Sequence, residues 1–180
     1  MFGPLWQATR DLHHQAEDHA LARAMIAGTI TPQAWADWLK AHLTIQLVLD
    51  PHLPLCVRRA DALALDLLAL LPVEARPSQV AADFAATLTD TVSIFGAAYL
   101  TIGAHRRGGR VIGKALREAG RDLPSRHTAF DDGPAAEAFV KQLREIPDLA
   151  PGARRAFAAL TAVMDEIVAR GAFIVDEAQP

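Results

Sequence analysis

The amino-acid sequence predicts an all-α fold, a single helical bundle, on two observations. Ala, Leu, Arg, Asp and Glu dominate, and apolar residues recur at spacings of three and four, the pattern of helices that bury one face. Alternating β-branched runs bounded by turn pairs are missing. With 180 residues, 51% of them apolar, the chain can bury one sizeable core. Residues 1–174 are therefore expected to form one domain, followed by a loose tail over 175–180.

The first helix should open near Pro4, a residue suited to a first turn, and run to about His19, with a short helical piece through Met25 stopping at Gly28. Thr31-Pro32 restarts the chain with a cap and a first-turn proline. The next helix carries Trp35, Trp38, Leu39, His42, Leu43 and Leu47 at helical spacing, and Asp50-Pro51 should kink or end it. From Leu53 to about Leu71 the pattern is again helical, with Arg58, Arg59 and Asp61 on an exposed turn, and Pro72 and Pro77 bracket a linker. Ser78 can cap a helix to about Leu88, and Thr89-Asp90-Thr91 restarts a long segment ending near Ala119, closed by Gly120. Leu123 to Gly133 is irregular. Two helices follow, Ala135 to Glu145 and Pro151 to about Arg170.

Composition narrows function before any motif is weighed. No run of apolar residues is long enough to span a bilayer, and Met1 to Leu5 lacks the basic and apolar regions of a secretory signal. A cytoplasmic protein with no membrane partner is expected. The lone Cys56 permits no internal disulfide and no Cys-Cys metal spacing. A net charge of -3 offers no general attraction to nucleic acid.

One informative stretch is Ala8 to His19. On a helix advancing about 100° per residue, Trp6, Thr9, Ala16, Glu17 and Ala20 share the side of His13, while Gln7, Asp11, His14, Gln15 and Asp18 gather opposite. His14 belongs to the wet face and can reach Asp18; His13 points inward. An inward imidazole is either a hydrogen-bonded core residue or a ligand to a metal or haem iron. For a ligand, Glu17 one turn on could accept the other ring N–H and set the tautomer.

The other stretch is Tyr99 to Ile112, with Gly103, Gly108 and Gly109 inside a helical pattern. Each helical glycine costs about 1 kcal/mol relative to Ala, so something should offset the pair. Centred on Gly108, the wheel gathers Ala97, Thr101, Ala104, Ile112 and Ala115 on one flank, with His105 just off it and Arg106 and Arg110 in solvent. Such a track serves close helix packing or a bend, or lets backbone approach a flat ligand. It is no phosphate cradle, since the GxxxxGK[ST] pattern is missing.

Taken together, the two stretches resemble the haem oxygenases. Ala8-Thr9-Arg10-Asp11-Leu12-His13 through Gln15-Ala16-Glu17 is similar to the family's first-helix signature, and Gly108-Gly109-Arg110-Val111-Ile112 with its upstream residues is similar to the distal helix. The resemblance covers residues 5 to 170 and the compact bacterial members suit its length. It implies haem held between the first helix and a kinked distal helix, and cleavage of haem to biliverdin, CO and Fe²⁺ with O₂ and electrons from a ferredoxin or flavoprotein reductase. It further implies His13 as the ligand to haem iron, Gly108, Gly109 and His105 at the reacting centre, and Arg10, Glu17, Thr101, Ala104 and Lys141 around the haem, with Arg10 and Lys141 facing its propionates.

Three positions depart from the family pattern. Ala104 stands where the upstream glycine is usual, with Gly103 one residue early; His105 stands where some members have an acid that organises distal water; and Trp6 replaces a basic residue of some relatives. His105 could hydrogen-bond oxygen, coordinate iron or face outward. The principal alternative is accordingly a haem-binding or sensing protein without ring opening. A di-iron oxidase would need Glu-x-x-His repeats, and the chain offers only the weak cluster Glu17-Asp18-His19; a purely structural helical domain is the remaining reading.

Overall fold

The computed structural model describes residues 3–174, and they form an all-α domain. Helix α1 (Pro4–Asp18) opens on Pro4 as expected and breaks at His19, whose extended backbone lets its Nδ1 accept the Leu21 N–H at 3.1 Å and so cap α2 (Ala20–Ala27). Gly28 ends α2 at φ +71°, and a Cβ there would strike Ala119; the turn and the close approach both require glycine. Thr31 caps α3 (Pro32–Leu49) through Ala34 N.

Leu53 to Arg59 departs from the expected helix. Pro54 has no N–H to donate and biases Leu53 toward extended backbone; Leu53 has φ -109° and ψ 150°, and only a 3₁₀ turn forms at Leu55–Val57. Helix α4 (Ala60–Ala69) starts where the Asp50 carboxylate accepts the N–H groups of Arg59 and Ala60. Helix α5 (Gln79–Ala86) is capped by Ser78 and stops short of Leu88, with the Thr87 hydroxyl donating to Phe84 O.

Helix α6 (Thr91–Gly103) begins with a reciprocal capping box between Asp90 and Ser93. It runs into a π turn over Ala104–Gly108, continues as α7 (Gly109–Glu118), and ends at Gly120 with φ +67°. The irregular stretch contains a 3₁₀ turn at Arg126–Thr128. Helix α8 (Gly133–Arg144) starts slightly early because Asp132 caps Ala135 N, and α9 (Ala150–Ala169) closes the bundle. An isolated antiparallel bridge joins Ile30 to Ile174. The expected tail, 175–180, lies outside the described residues.

Helix α9 is the centre of the core, burying Ala153, Ala156, Phe157, Leu160, Val163, Met164 and Ile167. It meets α6 backbone to backbone: a Cβ on Gly96 would strike Gly152 and Ala153, and one on Gly152 would strike Val92. Buried Asp37 ties α3 to the linker and α9, receiving Arg76 at 2.7 Å and Arg170 at 3.1 Å. No described helix is long and apolar enough to cross a membrane.

Candidate functional site

The α1 wheel separates the adjacent histidines as the periodicity demands. His13 is half-buried, its Nε2 3.4 Å from the Tyr99 hydroxyl on α6 and its ring 4.4 Å from that of Phe157 on α9. Burial, and secondarily the positive charges of His14 and Arg144, hold its pKa below the ordinary value. The ring is thus neutral near pH 7, the state in which an imidazole nitrogen can ligate a metal. Burial raises the Tyr99 phenol, which keeps it protonated and able to donate.

The companions assigned from spacing are arranged differently. Glu17 is 69% exposed and its carboxylate faces His14 Nδ1 at 3.9 Å, so it lies beside the outer histidine rather than behind His13. His14 meets Glu17 three residues on rather than Asp18. Arg10 is exposed, with its guanidinium over the Trp6 ring at 5.6 Å.

The π turn changes which distal residues face which way. Its i→i+5 pairing, with Gly109 N–H donating to Ala104 O, advances less per residue than an α-helix, so a 100° wheel drifts across it. Arg106, expected in solvent, is buried at 9% exposure and bonded to Glu137 at 3.2 Å. Arg110 is exposed as expected.

The glycines divide into two kinds. A Cβ on Gly109 would strike Thr128, which makes it a packing residue. A Cβ on Gly103 or Gly108 would meet nothing within 4 Å. Gly103 lies one turn beyond Tyr99, on the same side of α6, so an open, side-chain-free flank begins beside His13. Ala104 is half-buried, whereas Ala97 and Thr101 of the small-residue track are packed into the core and the Thr101 hydroxyl has no protein partner. His105 is buried among other side chains, away from His13.

Cations converge near the start of α1. A cavity of about 210 Å³ is lined by Trp6, by the cations Arg106, Arg107, Lys141 and Arg144, and by the carboxylates Glu137 and Glu145. Arg106 Nε and Arg144 Nε are buried without hydrogen-bond partners, and burial followed by the neighbouring Arg107 lowers the Arg144 pKa. Such a site favours an anion, two carboxylates above all. Its volume is below that of common ligand pockets, so it suits the acidic groups of a ligand rather than a macrocycle. Lys141, expected from the resemblance to face the propionates, lines this cavity; Arg106, Arg107, Arg144 and Tyr99 carry no such signal in the sequence, because only the packing of α1, α8 and the α6 segment brings them together. A larger groove of about 830 Å³, beside Leu47, Leu55, Arg58, Arg59 and Arg126, shares no residue with this region.

The residues present fit haem on chemical grounds: a neutral imidazole for iron, an open flank for a flat ring, and a cation cluster for propionates. Solved structures carry the comparison further. The fold is that of the haem oxygenases. The Leptospira interrogans haem oxygenase superposes with a TM-score of 0.74 at 17% identity over 90% of this chain and 97% of that one. Haem oxygenase-1 of Synechocystis sp. PCC 6803, solved with haem, gives 0.74 at 16% identity, covering 92% of this chain and 91% of its own. Haem oxygenase-2 of the same cyanobacterium, solved with haem and NO, gives 0.75 at 18%, with 93% and 86% covered. No protein-family model and no curated protein sequence matches the chain.

Proposed function

We propose that this haem-oxygenase-like protein is itself a haem oxygenase, cleaving haem to biliverdin, CO and Fe²⁺ with O₂ and electrons from a ferredoxin or flavoprotein reductase. The observation that carries the proposal is His13, a neutral, half-buried imidazole 3.4 Å from Tyr99 of α6, the helix on which Gly103 lies one turn further on with open space at its Cβ position. When bound, haem supplies the redox iron and is also the substrate. His13 Nε2 would hold the iron from the α1 side, which requires it to leave the Tyr99 hydroxyl. Lys141, Arg107 and Arg144 would orient the ring by its propionates. Gly103 and Gly108 would keep the opposite side free of side chains, so that the reacting carbon remains accessible.

One observation favours haem binding without ring opening: His105 is turned into the core and contributes no acid or base to that flank. Hemin titration followed by reductant and O₂ separates the two. The oxygenase reading expects loss of the Soret band, accumulation of biliverdin and CO captured by a reporter globin. A stable ferrous complex that turns over nothing would establish the binding protein instead, and a titration with no histidine-ligated spectrum would defeat both.

A further inference from the structure

His105 does not stand alone in the core. Its ring meets His42 of α3 edge-on at 4.8 Å between centroids and His127 at 5.1 Å. The row continues to Trp38, 4.3 Å beyond His42, and ends at fully buried Asp66 of α4, which lies 2.6 Å from His127 Nδ1. These rings stand in a row rather than around a point, and no metal-holding group exists among the described residues.

What the row encloses is the joint between α6 and α7. Asp66 also accepts the backbone N–H groups of Arg126 at 2.9 Å and His127 at 3.0 Å, which pins the 126–128 turn to α4. That turn in turn presses the His127 ring against His105 and Thr128 against Gly109, gripping the π turn near its beginning and just past its end. His42 braces the same turn from α3.

We propose that Asp66, His127, His105 and His42 form a clasp that locks the π turn, and with it the Gly103 to Gly108 flank, and that mild acid opens it. Both ring nitrogens of His42 and Nε2 of His105 are buried without a hydrogen-bond partner. A proton added to either ring therefore makes a buried N–H⁺ with no acceptor. The charged groups facing the row do not relieve this: charge on His127, and Arg59 beside α4, oppose a positive His105, and Asp66 lies at the far end holding three N–H groups. Burial accordingly depresses His42 to about 3 and His105 well below its ordinary value. Both groups gain protons on opening, so the clasp is at full strength above the unfolded value of about 6.5 and weakens as pH falls toward the folded values.

The proposal is independent of haem, and its test uses the ligand-free full chain. Hydrogen exchange, corrected for intrinsic rates, is compared at pH 7.5 and 5.0. At pH 5.0 each imidazole freed by opening contributes roughly a thirtyfold loss of protection, so residues 104–109 and 126–128 should lose at least tenfold more protection in the wild type than in the double variant His105→Phe with His42→Leu, while remaining less protected than α9. Protection of these residues equal to that of α9 at pH 5.0, which marks global unfolding, or equal loss in the wild type and the double variant, would overturn the clasp. Should the double variant not fold, NMR titration of the wild-type rings decides: His42 and His105 remaining neutral to pH 5 in the folded chain supports it, and ordinary titration near 6.5 overturns it. A chain that fails to take up hemin counts against the haem reading and leaves these outcomes intact.

Discussion

His13 and His105 are both imidazoles whose basicity burial lowers, yet their surroundings differ in kind. His13 is half-buried, with a hydroxyl 3.4 Å from Nε2 and a ring packed edge-on to Phe157. His105 is enclosed, its Nε2 has no partner, and its neighbours are two more imidazoles. A ligand must release what it touches and meet something new, which a weak hydrogen bond on a half-buried ring permits. A buried row gripping a helix joint cannot be rearranged without moving the joint. The first arrangement suits chemistry and the second suits architecture.

The largest expected effect tests the chemical half. Replacement of groups merely supporting a metal ligand costs about 10–100-fold in affinity, so His13→Ala should weaken hemin binding by more than about 100-fold and remove the histidine-ligated spectrum. His14→Ala, at a side chain 59% exposed, should change neither. Equal losses in the two variants would erase the distinction on which the site rests.

Next in size is Asp66→Ala, which leaves the backbone and ring N–H groups of buried His127, and the part-buried N–H of Arg126, without an acceptor. Buried unsatisfied donors cost about 1–3 kcal/mol each, so the apoprotein should lose about 3 kcal/mol or more, a fall in Tm of roughly 10 °C for a chain of this size. An unchanged melting temperature would mean that the 126–128 turn is not held by Asp66.

The glycines sharpen the comparison at smaller scale. Gly109→Leu forces a side chain into Thr128 and should destabilise apoprotein and hemin complex alike by about 1–3 kcal/mol. Gly108→Leu enters open space and replaces a poor helix former. Its apoprotein should melt no lower, while hemin affinity falls. Identical behaviour of the two variants would remove the division between packing glycine and open-flank glycine.

The smallest expected effect is at Glu17. Because its carboxylate faces His14, Glu17→Gln should leave hemin affinity and iron potential at wild-type values. A shift of either would mean that the carboxylate swings behind His13 once the ligand is bound.

Local signals in the sequence determined most of the helical framework. Thr31, Ser78 and Asp90 cap helices because their side-chain oxygens reach backbone N–H groups three residues on, and Gly28 and Gly120 end helices because they tolerate positive φ. The opposite orientations of His13 and His14 also follow from helical geometry alone, since adjacent residues are about 100° apart. Leu53 to Arg59 departs from the helical pattern because Pro54 biases Leu53 toward extended backbone and the Asp50 carboxylate, nine and ten residues upstream, caps α4 at Arg59 and Ala60.

Tertiary structure alone decided the rest, wherever partners come from different helices or the helical period changes. The π turn buries Arg106, which no wheel at constant pitch can foresee, and Thr128, brought in by the 126–128 turn, makes Gly109 a packing residue. Tyr99 beside His13, and Lys141 beside Arg107 and Arg144, depend on how α1, α6 and α8 cross. The row from His42 to Asp66 joins α3, the π turn, the 126–128 turn and α4. Sequence periodicity indicates which way a residue points from its own helix axis; what it meets there is set by the packing of the whole chain.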